Sequence, residues 1–274
     1  MTRETKRKVS TAIRYTLLIL VGFIMVYPLI WMVGATFKTN SEIFTSAWFL
    51  PKNPVFDGYS NAFKSYGGKI SLITSLINTY KIVLPKVIFT VVSATIAAYG
   101  FGRFDFKGKK IFFALLMSTL FLPQVVLNAP QYIMFNKWKW VNTYLPLIVP
   151  SLFAADTYFV FMLIQFLRGV PKELEEAAKI DGCDEKKTTR YITLPMMAGT
   201  FTICFFLAIT RAFVTYDVNI SLTEGGPFGS TTLAAMYVYN MAFSSKKYGL
   251  GQAEALILFL VIAVIAVTQA FIGK

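Results

Sequence analysis

The sequence predicts an all-α membrane protein of six transmembrane helices, with both termini on the cytoplasmic side. Three observations carry this. Hydrophobic residues make up 55% of the 274 and charged residues only 15%, against roughly 25% charged in soluble domains. Apolar runs long enough for a bilayer core, which takes about 20 helical residues, recur along the chain. Lys and Arg gather in alternate loops, as they do on the cytoplasmic face of membrane proteins. One bundle over residues 1–274 fits this length better than two domains.

The first fourteen residues are a basic leader, with Arg3, Lys6, Arg7, Lys8 and Arg14 against the single acid Glu4. The first span is Tyr15–Phe37. It exceeds the apolar region of a cleaved signal peptide, typically about 7–15 residues, and lacks an Ala-x-Ala-like exit. Pro28 predicts a kink within it. The mixed stretch from Lys38 to Ile77 has turn signals at Pro51–Pro54, Asp57-Gly58 and Gly67-Gly68. It reads as an external loop with short surface helices, anchored at the interface by Trp48 and Phe49.

The second span, Asn78–Phe101, carries Lys81 and Lys86 in its first part, where long side chains snorkel to the surface. Its small residues Ala94, Ala97, Ala98 and Gly100 permit close helix packing. Arg103, Lys107, Lys109 and Lys110 then mark a cytoplasmic turn. The third span, Ile111–Phe135, is expected to break at Pro123 and Pro130, and carries Gln124, Asn128 and Gln131. Trp138 and Trp140 follow in a short outer turn. The fourth span, Thr143–Leu167, has Asp156 near its middle and Gln165 near its end. The fifth, Met196–Tyr216, includes Arg211. Asp217 to Glu254 reads as a second external segment with a turn at Gly225-Gly226-Pro227. The sixth span is Ala255–Ile272.

Several chemistries are excluded. With no histidine, the commonest metal ligand and general base is missing. Cys183 and Cys204 offer neither a disulfide framework nor zinc spacing. The phosphate cradle Gly-x4-Gly-Lys-Ser/Thr is absent, because Gly68-Lys69 is followed by Ile70 and position 63 is Phe63. The chain therefore reads as no enzyme and binds no cofactor of its own. A net charge of +13 would suggest nucleic acid in a soluble protein. Cytoplasmic loops account for it here, and the large partner surface is membrane lipid. An ionisable residue inside a membrane is a functional candidate by default. Asp156 and Arg211 are the two, read either as a pair locking the fourth and fifth spans or as part of a solute pathway with Asn128, Gln131 and Gln165.

Between the fourth and fifth spans, residues 170–195 form the most charged interior piece of the chain. Pro171 suits a helix start and Gly182 the left-handed residue past its end. Glu173, Glu175 and Glu176 favour the positive end of the helix dipole. Leu174, Ala177, Ala178 and Asp181 share one face, and Asp184 suits the cap of a second short helix. Glu176-Ala177-Ala178, then Asp181-Gly182, then Ile192-x-Leu194-Pro195 resemble the EAA loop of ABC-transporter permeases. Tyr27 to Phe56, and Ser230 to Phe243, resemble carbohydrate (maltose-type) permeases of binding-protein-dependent systems. The early part is similar to one permease type of sugar importers and the Gly225–Pro227 loop to the other, which leaves open which half of a pair this chain is.

The resemblance implies a permease subunit in a bacterial inner membrane. Glu176, Ala177, Ala178, Asp181 and Gly182 would form the coupling helix, with Ile192, Leu194 and Pro195 tying it to the fifth span. It also implies an ABC ATPase dimer holding ATP and Mg, a second permease subunit, an extracytoplasmic solute-binding protein and a sugar substrate. A second class, an ion-gradient-driven secondary transporter with Asp156 as coupling carboxylate, predicts internal repeats. None is evident.

Overall fold

The computed structural model describes residues 3–65 and 70–272. The Gly67-Gly68 turn and the chain end at Lys274 lie outside the described residues. Among the described residues every regular element is helical.

Helix α1 (Arg3–Ala35) continues through Pro28. The most apolar part of the helix buries no residue against the rest of the chain, and Leu17, Phe23 and Met25 stand in the open. So large an exposed apolar surface suits lipid, not water. Two short helices follow, α2 (Asn40–Thr45) and α3 (Asp57–Ala62). Helix α4 (Leu72–Arg103) opens on a reciprocal cap: Ser71 Oγ takes the Thr74 N–H and Thr74 Oγ1 takes the Ser71 N–H. This satisfies donors that a helix start otherwise leaves unpaired.

Helices α5 (Lys109–Thr119) and α6 (Gln124–Lys137) meet at a bend of 104°. Only one of the two prolines expected to break this stretch does so. Pro123 stands just before α6 with extended backbone, whereas Pro130 lies inside α6. There it forgoes a single backbone hydrogen bond, which membrane helices tolerate.

The fourth apolar stretch is not one helix. It consists of α7 (Leu145–Ile148), a 3-10 turn (Val149–Phe153) and α8 (Thr157–Gly169). Ala154 sits at φ 53°, and Asp156, near the middle of the 145–169 stretch as expected, stands just before α8. The opened backbone is satisfied from α4. Ser93 Oγ donates to the Ser151 carbonyl at 2.6 Å and accepts the Ala154 N–H at 3.2 Å. Ser93→Ala should therefore lower stability by about 1–3 kcal/mol, the cost of orphaned buried polar groups. The check is the melting temperature of the purified protein, and an unchanged value would mean those groups have other partners.

Next come α9 (Lys172–Ile180), α10 (Glu185–Thr188), a π turn (Thr189–Thr193) and α11 (Leu194–Met196). Helix α12 (Ala198–Phe213) is bent by 65° from the segment Glu185–Met196. Helices α13 (Asp217–Thr223) and α14 (Ala234–Tyr239), a second π turn (Asn240–Ser244) and α15 (Tyr248–Ile272) complete the order. Among the described residues four helical stretches, with 145–169 counted as one, are long and apolar enough to cross a membrane, or up to six spans if each bent pair counts as one.

The chain forms two compact units, one of residues 1–64 with 238–257 and one of 65–237 with 258–274. In the first, the end of α1 and its following loop pack on the start of α15. Asn40 Oδ1 accepts the Gly249 N–H at 3.0 Å, and Lys38 Nζ donates to the carbonyls of Ser46 and Trp48. Because α15 begins at Tyr248, Glu254 lies inside the helix and not at the end of a polar segment. It is fully buried, and neither carboxylate oxygen has a hydrogen-bond partner. Burying a carboxylate without a hydrogen-bond partner is costly, so Glu254→Gln should be at least as stable as the parent in thermal melts. A clear loss would show that the fold requires the charge. In the second unit α4 is the central helix, packed along α8, α12 and the 3-10 turn. Its inward stripe includes Ser75, Thr79, Ile82, Val83, Val87, Val91, Ala94 and Ala98.

Candidate functional site

Residues 170–195 fold as two short helices around a glycine. Helix α9 starts just after Pro171, with Glu173 and Glu175 in its first turn. It ends in a paired hydrogen-bond cap: Cys183 N–H reaches the Ala178 carbonyl at 2.9 Å and Gly182 N–H reaches the Lys179 carbonyl at 3.1 Å. This cap requires a left-handed residue, and Gly182 supplies it with φ +86°. Asp184 then caps α10, its carboxylate accepting the Lys187 N–H at 2.7 Å.

The surfaces of this knuckle divide unequally. Glu176, Ala177, Asp181 and Gly182 are exposed, and so are the apolar Leu174 and Ile180, the latter at 86%. Ala178 is buried within the chain itself. It is thus turned from the face that Ala177 presents. Ile192 is half-buried in the π turn, while Leu194 and Pro195 are exposed in α11.

Two residues that the sequence does not mark as partners hold the knuckle to α4. Arg103 Nη2 contacts Glu175 Oε1 at 2.8 Å, and both side chains are largely buried. The same nitrogen donates to the Val170 carbonyl at 3.3 Å. Thr193 Oγ1, in the π turn, donates to the same Glu175 oxygen at 2.9 Å. One turn before Arg103, the Tyr99 hydroxyl lies 2.9 Å from Thr189 Oγ1. In the basic turn beyond Arg103, the hydrogen bond from Lys109 and its charge hold the Asp105 carboxyl below its ordinary value.

The second candidate cluster lies among α4, α8 and α12. Lys86, Asp156 and Arg211 line one cavity of about 70 Å³, with Thr90, Phe159 and Thr215 beside them. Lys86, expected to snorkel outward, is half-buried in this cluster. Asp156 and Arg211 make no ion pair within 4.0 Å among the described residues. The Arg211 guanidinium instead lies over the Tyr158 ring at 4.2 Å and the Phe159 ring at 5.6 Å. Such contacts partly offset the loss of hydration. Asn128 is buried in α6, donating to Ser221 Oγ at 3.3 Å, with its own Oδ1 unpartnered. Gln131 is half-buried one turn along α6, and Gln165 is exposed further down α8. The structure therefore joins Asp156 to Arg211 through a shared cavity, and leaves the three amides elsewhere.

Among the described residues the chain is all-helical, with four to six apolar spans and a charged double-helix knuckle. The same architecture occurs in a chain of the solved bacterial alginate ABC transporter in complex with alginate pentasaccharide-bound periplasmic protein. The TM-score is 0.75 at 15% identity, covering 99% of this chain and 96% of that one. At that identity the likeness is one of fold. The chain belongs to the family of binding-protein-dependent transport system inner membrane components, with residues 7–274 matched. MsmF, the multiple sugar-binding transport system permease protein of Streptococcus mutans, is 33% identical over 222 residues, 77% of this chain and 76% of MsmF. AmyD of Thermoanaerobacterium thermosulfurigenes, a probable starch degradation products transport system permease protein, is 32% identical over 139 residues. That match spans 49% of this chain and 48% of AmyD, about half the length of the relative.

Proposed function

We propose that this chain is the membrane-spanning permease subunit of an ABC importer for a sugar or oligosaccharide. It crosses a bacterial inner membrane six times, with both termini and the 170–195 knuckle in the cytoplasm. An ABC ATPase dimer beneath it holds ATP and Mg, while this chain binds no cofactor. A second permease subunit completes the pathway and an extracytoplasmic binding protein delivers the solute. Family membership, the multiple sugar-binding transport system named for MsmF and the starch degradation products named for AmyD support this reading.

The observation that carries it is the exposed outer face of α9. Glu173, Leu174, Glu176, Ala177 and Ile180 protrude from a helix whose inward side is pinned. In this reading Glu176 meets basic or polar groups of the ATPase and Ala177 permits close approach. Ala178 packs the helix onto its own chain. Asp181 and Gly182 set the turn, and Ile192, Leu194 and Pro195 carry movement into α12. Asp156, Arg211, Asn128, Gln131 and Gln165 are proposed for the solute pathway. An ion-driven carrier would need Asp156 free for a coupling cation. The Arg211 guanidinium lines the same cavity and repels one.

The test is reconstitution in proteoliposomes with the ATPase, second permease and binding protein. Uptake of labelled oligosaccharide should require ATP and the binding protein together. Uptake driven by an ion gradient without ATP would contradict the proposal.

A further inference from the structure

We propose that the Arg103–Glu175 ion pair is the lateral link through which displacement of α9 reaches α4. This rests on the reading of 170–195 as the ATPase-coupling knuckle. Helix α9 packs chiefly on α10 and the π turn, its own knuckle, whereas α4 packs along α8, α12 and the 3-10 turn. Between α9 and the central helix the connection is made by long side chains.

Four segments converge on this one pair. Arg103 ends α4, and its Nη2 serves both Glu175 and the carbonyl of Val170, the joint between α8 and α9. Glu175 lies in the first turn of α9, and its Oε1 also accepts from Thr193 in the π turn leading to α12. A push on the outer face of α9 thus loads a short charge-assisted contact, the stronger kind of hydrogen bond. The largely buried guanidinium cannot exchange that contact for water without the cost of an unpaired charge. Arg103 Nε is already buried without a partner, which leaves the head group little alternative bonding. The outward residues Glu176 and Ala177 would receive the thrust, and Glu175 would hand it on.

The experiment uses the complete transporter, with Arg103→Gln, Glu175→Gln and the double variant. Three quantities are read: ATPase co-purifying with the permease, ATP hydrolysis rate, and solute imported per ATP hydrolysed. Each single variant should keep the ATPase bound and lower solute per ATP by about tenfold, a size typical of coupling mutations. The double variant should fall no further than the worse single, since both remove one link. Arg103→Lys keeps the charge but not the planar fork, and should lose about threefold. It serves as the readout if Arg103→Gln fails to accumulate.

An unchanged ratio, with uptake falling only as the assembled complex does, would make the pair a static brace and overturn the proposal. Additive losses in the double variant would overturn it too, because the residues would then act separately. If no ATPase co-purifies with the parent chain, the coupling reading itself fails, an outcome distinct from either.

Discussion

Gly182→Val should reduce solute uptake at least about tenfold while leaving the membrane-spanning helices intact. Gly182 sits at φ +86°, and a Cβ built there meets nothing within 4 Å. The defect therefore comes from the backbone and not from a clash. A left-handed residue with a side chain costs roughly 1–2 kcal/mol, and a β-branched one fits worst. The chain escapes that strain by abandoning the turn, which gives up the paired cap at Ala178 and Lys179 and re-aims α10 against α9. Gly182→Asn is the control. Asparagine tolerates the left-handed region, so it should retain most uptake although it is far larger than alanine. If valine imports at the parent rate, the turn is not what sets the knuckle's geometry.

A second large effect is expected from Gly34→Ala. The new Cβ would lie 1.8 Å from the Phe49 carbonyl oxygen and 2.8 Å from its carbon. Both are backbone atoms, so no rotamer change relieves the contact. The Phe49 segment cannot drift away cheaply, because Lys38 Nζ holds the carbonyls of Ser46 and Trp48 on either side of Ala47. Overpacking of this kind costs about 1–3 kcal/mol and sometimes more. The variant should accumulate poorly and melt several degrees lower. Gly22→Ala on the same helix meets nothing within 4 Å and should behave as the parent. Equal melting of Gly34→Ala and the parent would contradict the close packing of this loop on α1.

The apolar runs made the helical, membrane-spanning character legible, because hydropathy over a long window sums many independent residues. The breaks were harder to read. Pro123 and Pro130 look alike in sequence, yet only the first stands at a break, just before α6, while the second lies inside that helix. Ala154 carries no local mark of a left-handed residue. Its position is tolerated because Ser93, on another helix, closes the hydrogen bonds. The knuckle was legible because caps are local: Pro171, Gly182 and Asp184 act within a few residues of themselves. Arg103 and Glu175 were not, since each has an adequate local role, a basic loop residue and a helix-dipole acid, and only the fold brings them to 2.8 Å. Lys86 and Glu254 were missed for a related reason. Each stands near the edge of an apolar run, where a charge is ordinarily taken to reach the surface.

In the proposed assembly the 170–195 knuckle faces the ATP-driven motor in the cytoplasm. Cysteine labelling at Ala177 tests it most directly, in a chain whose Cys183 and Cys204 have been replaced by serine. A membrane-impermeant thiol reagent should leave Ala177→Cys unmodified in intact cells and modify it in inverted vesicles. The co-assembled ATPase should then protect it. Modification from the outside of intact cells would contradict the account.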